Sequence, residues 1–181
     1  PGSTGLFMQS SGPDANGVYT DCQSTTNDEL QPTSRYINFL QNIFASEKKE
    51  VVMLGILGVP LVTRHSDNPP FEPIEGGVEA LVYRDWIEGE YPLGDILPVD
   101  WAAGASADTK EFDFGIGPGC TGVDGMGGFT GQAIPPVRIK EVCESLNRED
   151  DPATGGVDET AIRCCIEAIC ATDFSAAIRC L

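Results

Sequence analysis

Histidine is nearly missing from this chain: one stands among 181 residues, at position 65. That excludes a multi-histidine zinc site and the HExxH pair of metallohydrolases. Basic residues are scarce too, 11 Lys and Arg against 28 Asp and Glu, for a formal net charge of −17. Nucleic-acid binding needs clustered cations that displace phosphate counterions, and docking on anionic lipid needs the same. Neither is expected of this composition. No apolar run is long enough to span a bilayer; the best one, Val51 to Val62, contains Gly55, Gly58 and Pro60. The chain opens at Pro1 with no signal peptide or hydrophobic anchor in view, as expected of a mature chain or a piece of a longer one.

Cysteine, by contrast, is plentiful: Cys22, Cys120, Cys143, Cys164, Cys165, Cys170 and Cys180. They form no CxxC pairs and no haem-attachment motif. Disulfides in an oxidising, extracytoplasmic compartment are the expected use, and all seven are candidates. The odd count leaves at least one thiol free or paired elsewhere. Sequence alone leaves the connectivity open.

Residues 1–32 are polar and turn-rich and read as an irregular segment. A helix is expected from Thr33 or Ser34, whose hydroxyl is available as a cap, with Tyr36, Leu40, Ile43 and Phe44 at helical spacing. The stretch Val51–Val59, VVMLGILGV, is apolar on both faces, as in a strand covered on both sides of a parallel sheet. Residues 63–132 hold proline, glycine and acid-rich stretches without strong periodicity and read as a long irregular insert. Short strands are expected in it near Val78–Tyr83 and Phe112–Phe114. A helix follows Pro135 or Pro136, with Ile139, Val142, Cys143 and Leu146 recurring at i, i+3, i+4 and i+7. Ala161–Ala171 reads as a second buried strand, and Thr172 or Asp173 as the cap of a final helix carrying Phe174, Ala177, Ile178 and Leu181. The order helix, strand, insert, helix, strand, helix is that of an α/β protein, with a mostly parallel sheet flanked by helices. One contiguous core is expected from Leu54, Ile56, Ile139, Val142, Ile166, Ile169, Phe174 and Ile178.

Several chemical readings compete with plain structural ones. Gly115, Gly117 and Gly119 suggest a phosphate loop, but the spacing matches neither GxGxxG nor GxxxxGK. A turn leading to Cys120 is the simpler role. His65, with Ser66 and Asp67, has the makings of a catalytic base, and Cys120 or Cys170 of a thiolate, yet no GxSxG elbow exists. Acidic side chains in turn-rich stretches, Asp113, Asp124, Asp150, Asp151, Asp158 and Glu159, offer oxygen ligands without any EF-hand pattern. Glu141 and Glu144 share one helix at an ordinary i, i+3 spacing. The insert's aromatics, above all Phe71, Trp86, Tyr91 and Trp101, form the candidate interaction surface, because loops on a rigid scaffold commonly carry recognition.

Three blocks together resemble a known family: PTSRYINFLQNIFASEKKEVVMLGILGVP (32–60), GQAIPPVRIKEVCESLN (131–147) and IEAICATDFSAAIRCL (166–181). Their order and spacing are similar to the C-terminal half of von Willebrand factor A-like (VWA-like) lipoproteins of myxobacteria and related delta-proteobacteria. The resemblance implies a single, incomplete VWA-like domain over residues 1–181. It also implies a non-enzymatic module at the cell surface or secreted, binding another protein or a surface in adhesion or assembly. A disulfide-stabilised extracellular hydrolase and a filament subunit are the alternatives. The family's cation-binding DxSxS motif has no counterpart here. No metal ligand and no cofactor is therefore expected, and a divalent cation only if a missing N-terminal half completes the site. The expected partner is that missing half or another protein, with a homo-oligomer as a further option. The family blocks also bring the segment before the 131–147 helix close to the last strand, which makes Cys120–Cys170 the expected disulfide pair.

Overall fold

The uncharged run at 51–59 does become a strand, and the last cysteine-rich run pairs with it. In the computed structural model, which describes residues 8–25, 30–47, 51–68, 73–77, 80–147 and 164–180, ten short strands and five helices are formed. In chain order they are β1 (Met8–Gln9), β2 (Val18–Tyr19), β3 (Gln23–Ser24), α1 (Thr33–Glu47), β4 (Met53–Leu57), β5 (Val62–His65), β6 (Pro73–Gly76) and β7 (Tyr83–Arg84). Then come α2 (Pro98–Ala102), α3 (Ala107–Phe114), β8 (Cys120–Val123), β9 (Phe129–Ala133), α4 (Val137–Glu144), β10 (Cys164–Ala168) and α5 (Ser175–Cys180).

β4 and β10 run parallel, with Cys164 opposite Met53 and Ala168 opposite Leu57. Side chains alternate across a strand, so adjacent Cys164 and Cys165 point to opposite faces. Cys164 is bridged to Cys143 on α4, and Cys165 to Cys180 on α5, with Cα–Cα separations of 5.3 and 6.1 Å. Helices thus cover both faces of this parallel pair, and every residue of β10 is buried. The third bridge is the expected one, Cys120–Cys170, with Cα atoms 6.1 Å apart. It ties the start of β8 to the turn after β10.

The parallel pair is the extent of the parallel sheet among the described residues. The other strands form four antiparallel ribbons, β1–β3, β2–β7, β5–β6 and β8–β9. A sheet parallel throughout is therefore not what forms, and the class is mixed α/β. The 63–132 insert is also not irregular: it contains β6, β7, α2, α3, β8 and most of β9. Phe112–Phe114 is helical, not extended. Ser106 caps α3 by accepting the Thr109 N–H at 3.2 Å, which commits the chain to a helix before those aromatics are reached. Of the expected strand at 78–83, residues 78–79 lie outside the described residues and Tyr83 opens β7. In the N-terminal segment three two-residue strands replace the expected loop.

The core is two clusters instead of one. Val59, Cys143, Leu146, Cys164, Ile166 and Ala168 form the larger, with Met53 and Leu57 packed against it. Tyr19, Ile116 and Val137 form the smaller. Of the eight residues expected in a single core, Ile166 alone is fully buried; Leu54, Val142 and Phe174 are half-buried, and Ile56, Ile139, Ile169 and Ile178 are exposed. The reason is layer width. With two strands in the sheet, the buried residues of α4 divide: Cys143 packs on β10 in the larger cluster, and Val137 packs in the smaller one. Ile139 is left on the side facing α1. The six-residue α5 covers β10 but leaves Ile56 on β4 partly bare.

Candidate functional site

The glycine tract packs against the protein's own backbone. The Gly117 N–H donates to Arg84 O at 2.7 Å and the Gly119 N–H to Ala133 O at 2.8 Å, so neither is directed at an anion. Gly119 presses so close to the Gly58 carbonyl that any Cβ would overlap it. The tract is a close-packed entry to β8, consistent with the turn leading to Cys120.

His65 ends β5, and its Nε2 lies 3.4 Å from Oε2 of Glu167, next to last in β10. Glu167 is 3 % exposed, and its Oε1 accepts the Ala168 N–H at 3.0 Å. A carboxyl group placed in an all-buried strand needs such partners, since burial without them is costly. The two cysteines considered as thiolates for His65 are bonded to each other. The arrangement therefore ties β5 to β10 through an acid–base pair. Sequence reasoning passed over Glu167, although an acid inside the apolar run CCIEAIC was itself a sign that a partner had to exist.

Other acidic residues are engaged locally. Glu141, which looked like an ordinary exposed carboxylate, accepts the Ser24 hydroxyl at 2.5 Å and the Thr33 hydroxyl at 2.8 Å, joining β3, α1 and α4. Thr33 thus also ties the start of α1 to α4. Asp173 accepts the Ser175 N–H at 2.9 Å and caps α5. These bonds hold its carboxyl below the usual value. Asp124 accepts the N–H groups of Met126 and Gly128 inside the β8–β9 turn. Asp150, Asp151, Asp158 and Glu159 lie outside the described residues. Among the described residues no three His, Cys, Asp or Glu side chains converge as a metal site would require.

Asp21 is held by the hydroxyls of Ser10 and Ser11 and by the Ser11 N–H, which lower its pKa to about 2. Its folded value is depressed, so its contribution to the loop is present above the unfolded carboxylate value and is lost as pH falls through about 2. An NMR titration should place the Asp21 midpoint there, and Ser10→Ala with Ser11→Ala should move it back toward the ordinary range. A midpoint unchanged by those substitutions would contradict the assignment.

Cys22 is the free thiol among the seven candidates. Burial pushes it up to about 11, so it stays protonated and unreactive. The remaining six form the three bridges.

The insert's aromatics divide. Phe71 lies outside the described residues. Trp86 is corrected from surface to core: it is buried, its Nε1 donates to Gly115 O at 2.9 Å, and it packs beside Phe114 and Lys110. Tyr91 is half-buried, edge-on to Phe129 at 5.4 Å between centroids. Trp101 is exposed on α2, near Val99. The most exposed apolar side chains of the insert are Leu93, Phe112 and Met126, each more than nine-tenths exposed, and none of them is among the four aromatics put foremost. Behind them the loop is firmly built. Arg84 forms a two-pronged pair with Asp95, whose Oδ2 also accepts the Ile87 N–H at 2.6 Å. Glu88 caps the start of α3 at Ala107, and Lys110 pairs with Asp100.

A second apolar surface lies between α1 and α4. Tyr36, Phe39 and Leu40 form one wall, Ile139 and Val142 the other, and Met53 of β4 lies among them, enclosing about 610 Å³. Its one charged lining residue is Arg138, which donates to the carbonyls of Thr25 and Gln31. No described helix is long and apolar enough to cross a membrane. No family model, curated protein or solved structure matches the chain.

Proposed function

We propose that the chain is a non-enzymatic, extracytoplasmic VWA-like module that binds another protein through its insert. The observation that carries this reading is the pairing of bare apolar side chains with a rigid support. Leu93, Val99 and Phe112 stand out from a segment fixed by the Arg84–Asp95 pair and the buried Trp86. Exposed apolar groups on a rigid loop favour association because little conformational freedom is lost on binding. Three disulfides support an oxidising, extracellular setting. The family part of the reading rests on the resemblance of residues 32–60, 131–147 and 166–181, and on a parallel pair covered by helices on both faces.

The test is retention of a partner by the immobilised chain from envelope and culture-medium fractions of its source cell. The wild-type chain should retain a defined protein, and Leu93→Ser with Phe112→Ser should lose it. Both substitutions lie on the surface and should change stability by less than about 0.5 kcal/mol. Retention unchanged by the pair of substitutions would overturn the reading.

A further inference from the structure

We infer that the outer edge of β4 is a self-association site, at which a second copy's β4 adds antiparallel about a twofold axis through Gly55. Leu57 accepts the Ile169 N–H at 2.7 Å, so the main-chain groups of Leu57 face the β10 side. In a strand these groups alternate sides residue by residue, which turns the N–H and C=O of Leu54 and Ile56 to the opposite edge. Among the described residues no strand pairs there.

Natural edge strands are usually protected by a charge, a proline or a bulge. From Val51 to Val59 this one has none, and no charge occurs until Arg64. Ile56 and Val52 stand exposed along it. The apolar groove between α1 and α4 reaches the same strand at Met53.

The strand fits itself. A twofold at Gly55 sets Leu54 opposite the second copy's Ile56, where both present outward hydrogen-bonding groups and can exchange both bonds. Met53 then lies opposite the second copy's Leu57, beside the groove. Glycine occupies the central, non-hydrogen-bonded position, where facing side chains approach most closely. No position of the pairing puts a charge against a charge or against an apolar group. Elsewhere the surface of a chain at −17 repels its own kind. This uncharged strip is where two copies can approach, and added salt should strengthen the contact by screening the remainder. The inference is independent of the insert surface proposed above, and the two fail separately.

Sedimentation velocity of the full chain, from micromolar to hundreds of micromolar and at low and high salt, tests it. The expected result is a monomer–dimer equilibrium that tightens with salt. Ile56→Lys should lose the dimer while keeping the near-ultraviolet circular dichroism of the monomer; Ile56→Val should keep both. Amide exchange on the wild-type chain is the second measurement, needed if Ile56→Lys fails to fold. The Leu54 and Ile56 amides should become more protected as concentration rises. A monomer at every concentration, a dimer that survives Ile56→Lys, an open series of polymers, or amides whose exchange ignores concentration would each overturn the inference.

Discussion

Replacing Cys143, Cys164, Cys165 and Cys180 together with alanine is expected to lower the Tm by about 12–24 °C, the largest loss any small set of substitutions should cause here. The two bridges close loops with sequence separations of 21 and 15 residues. Chain entropy assigns about 3 kcal/mol to each, or about 6 together, against a total stability of roughly 5–15 kcal/mol for an ordinary domain. The effect is concentrated because both bridges end on β10, one per face, so their loss frees α4 and α5 at once. Removing the bridge of 50-residue separation alone, by Cys120→Ala with Cys170→Ala, should cost about 4 kcal/mol. Thermal melts followed by circular dichroism measure both. A four-cysteine variant melting within a few degrees of the wild-type chain would contradict the account. Labelling of the denatured, unreduced chain should find one reactive thiol, that of Cys22.

The second large effect is expected at His65. His65→Ala leaves the buried Glu167 with the Ala168 N–H and, among the described residues, no side-chain partner. Stranding a buried acid in this way should cost about 3 kcal/mol, read as a lower urea midpoint. Adding Glu167→Leu should recover most of the loss, because an apolar side chain no longer needs the partner. If His65→Ala costs under about 0.5 kcal/mol, or if Glu167→Leu adds to the loss, the pair does not hold β5 to β10 as described.

The parts of the fold legible in the sequence were those written as uninterrupted apolar runs. Val51–Val59 and the cysteine-rich run at 164–171 had no alternation, and they form the parallel pair, of which β10 is wholly buried and β4 keeps an open edge. The Cys120–Cys170 bridge is the pair expected in the sequence analysis. The insert was misread because its order is made by polar ties, not by apolar periodicity. Arg84 and Asp95 lie 11 residues apart, and nothing in either residue announces the other. Phe-Asp-Phe at 112–114 alternates as a strand does, yet the Ser106 cap upstream outweighs that pattern. Helix faces were less legible than helix existence. α4 was expected to bury Ile139, but the bridge at Cys143 turns the buried stripe toward β10. Of the candidate surface, the aromatics drew attention by type, whereas exposure separates them: Trp86 is buried, and Phe112 and the aliphatic Leu93 stand bare.

The bridge pattern also bears on how the chain withstands proteolytic clipping. The Cys120–Cys170 loop encloses the one from Cys143 to Cys164 and overlaps the one from Cys165 to Cys180. Every peptide bond between Cys120 and Cys180 therefore lies inside at least one closed covalent ring. A single cut anywhere in that stretch, including the long segment between α4 and β10, opens a ring without releasing a fragment. The nicked chain stays in one piece, heavier only by the water added at the cut, until it is reduced. In an oxidising extracellular setting the chain would in this way remain one covalent body after a first cleavage there, while a cut before Cys120 would split it in two.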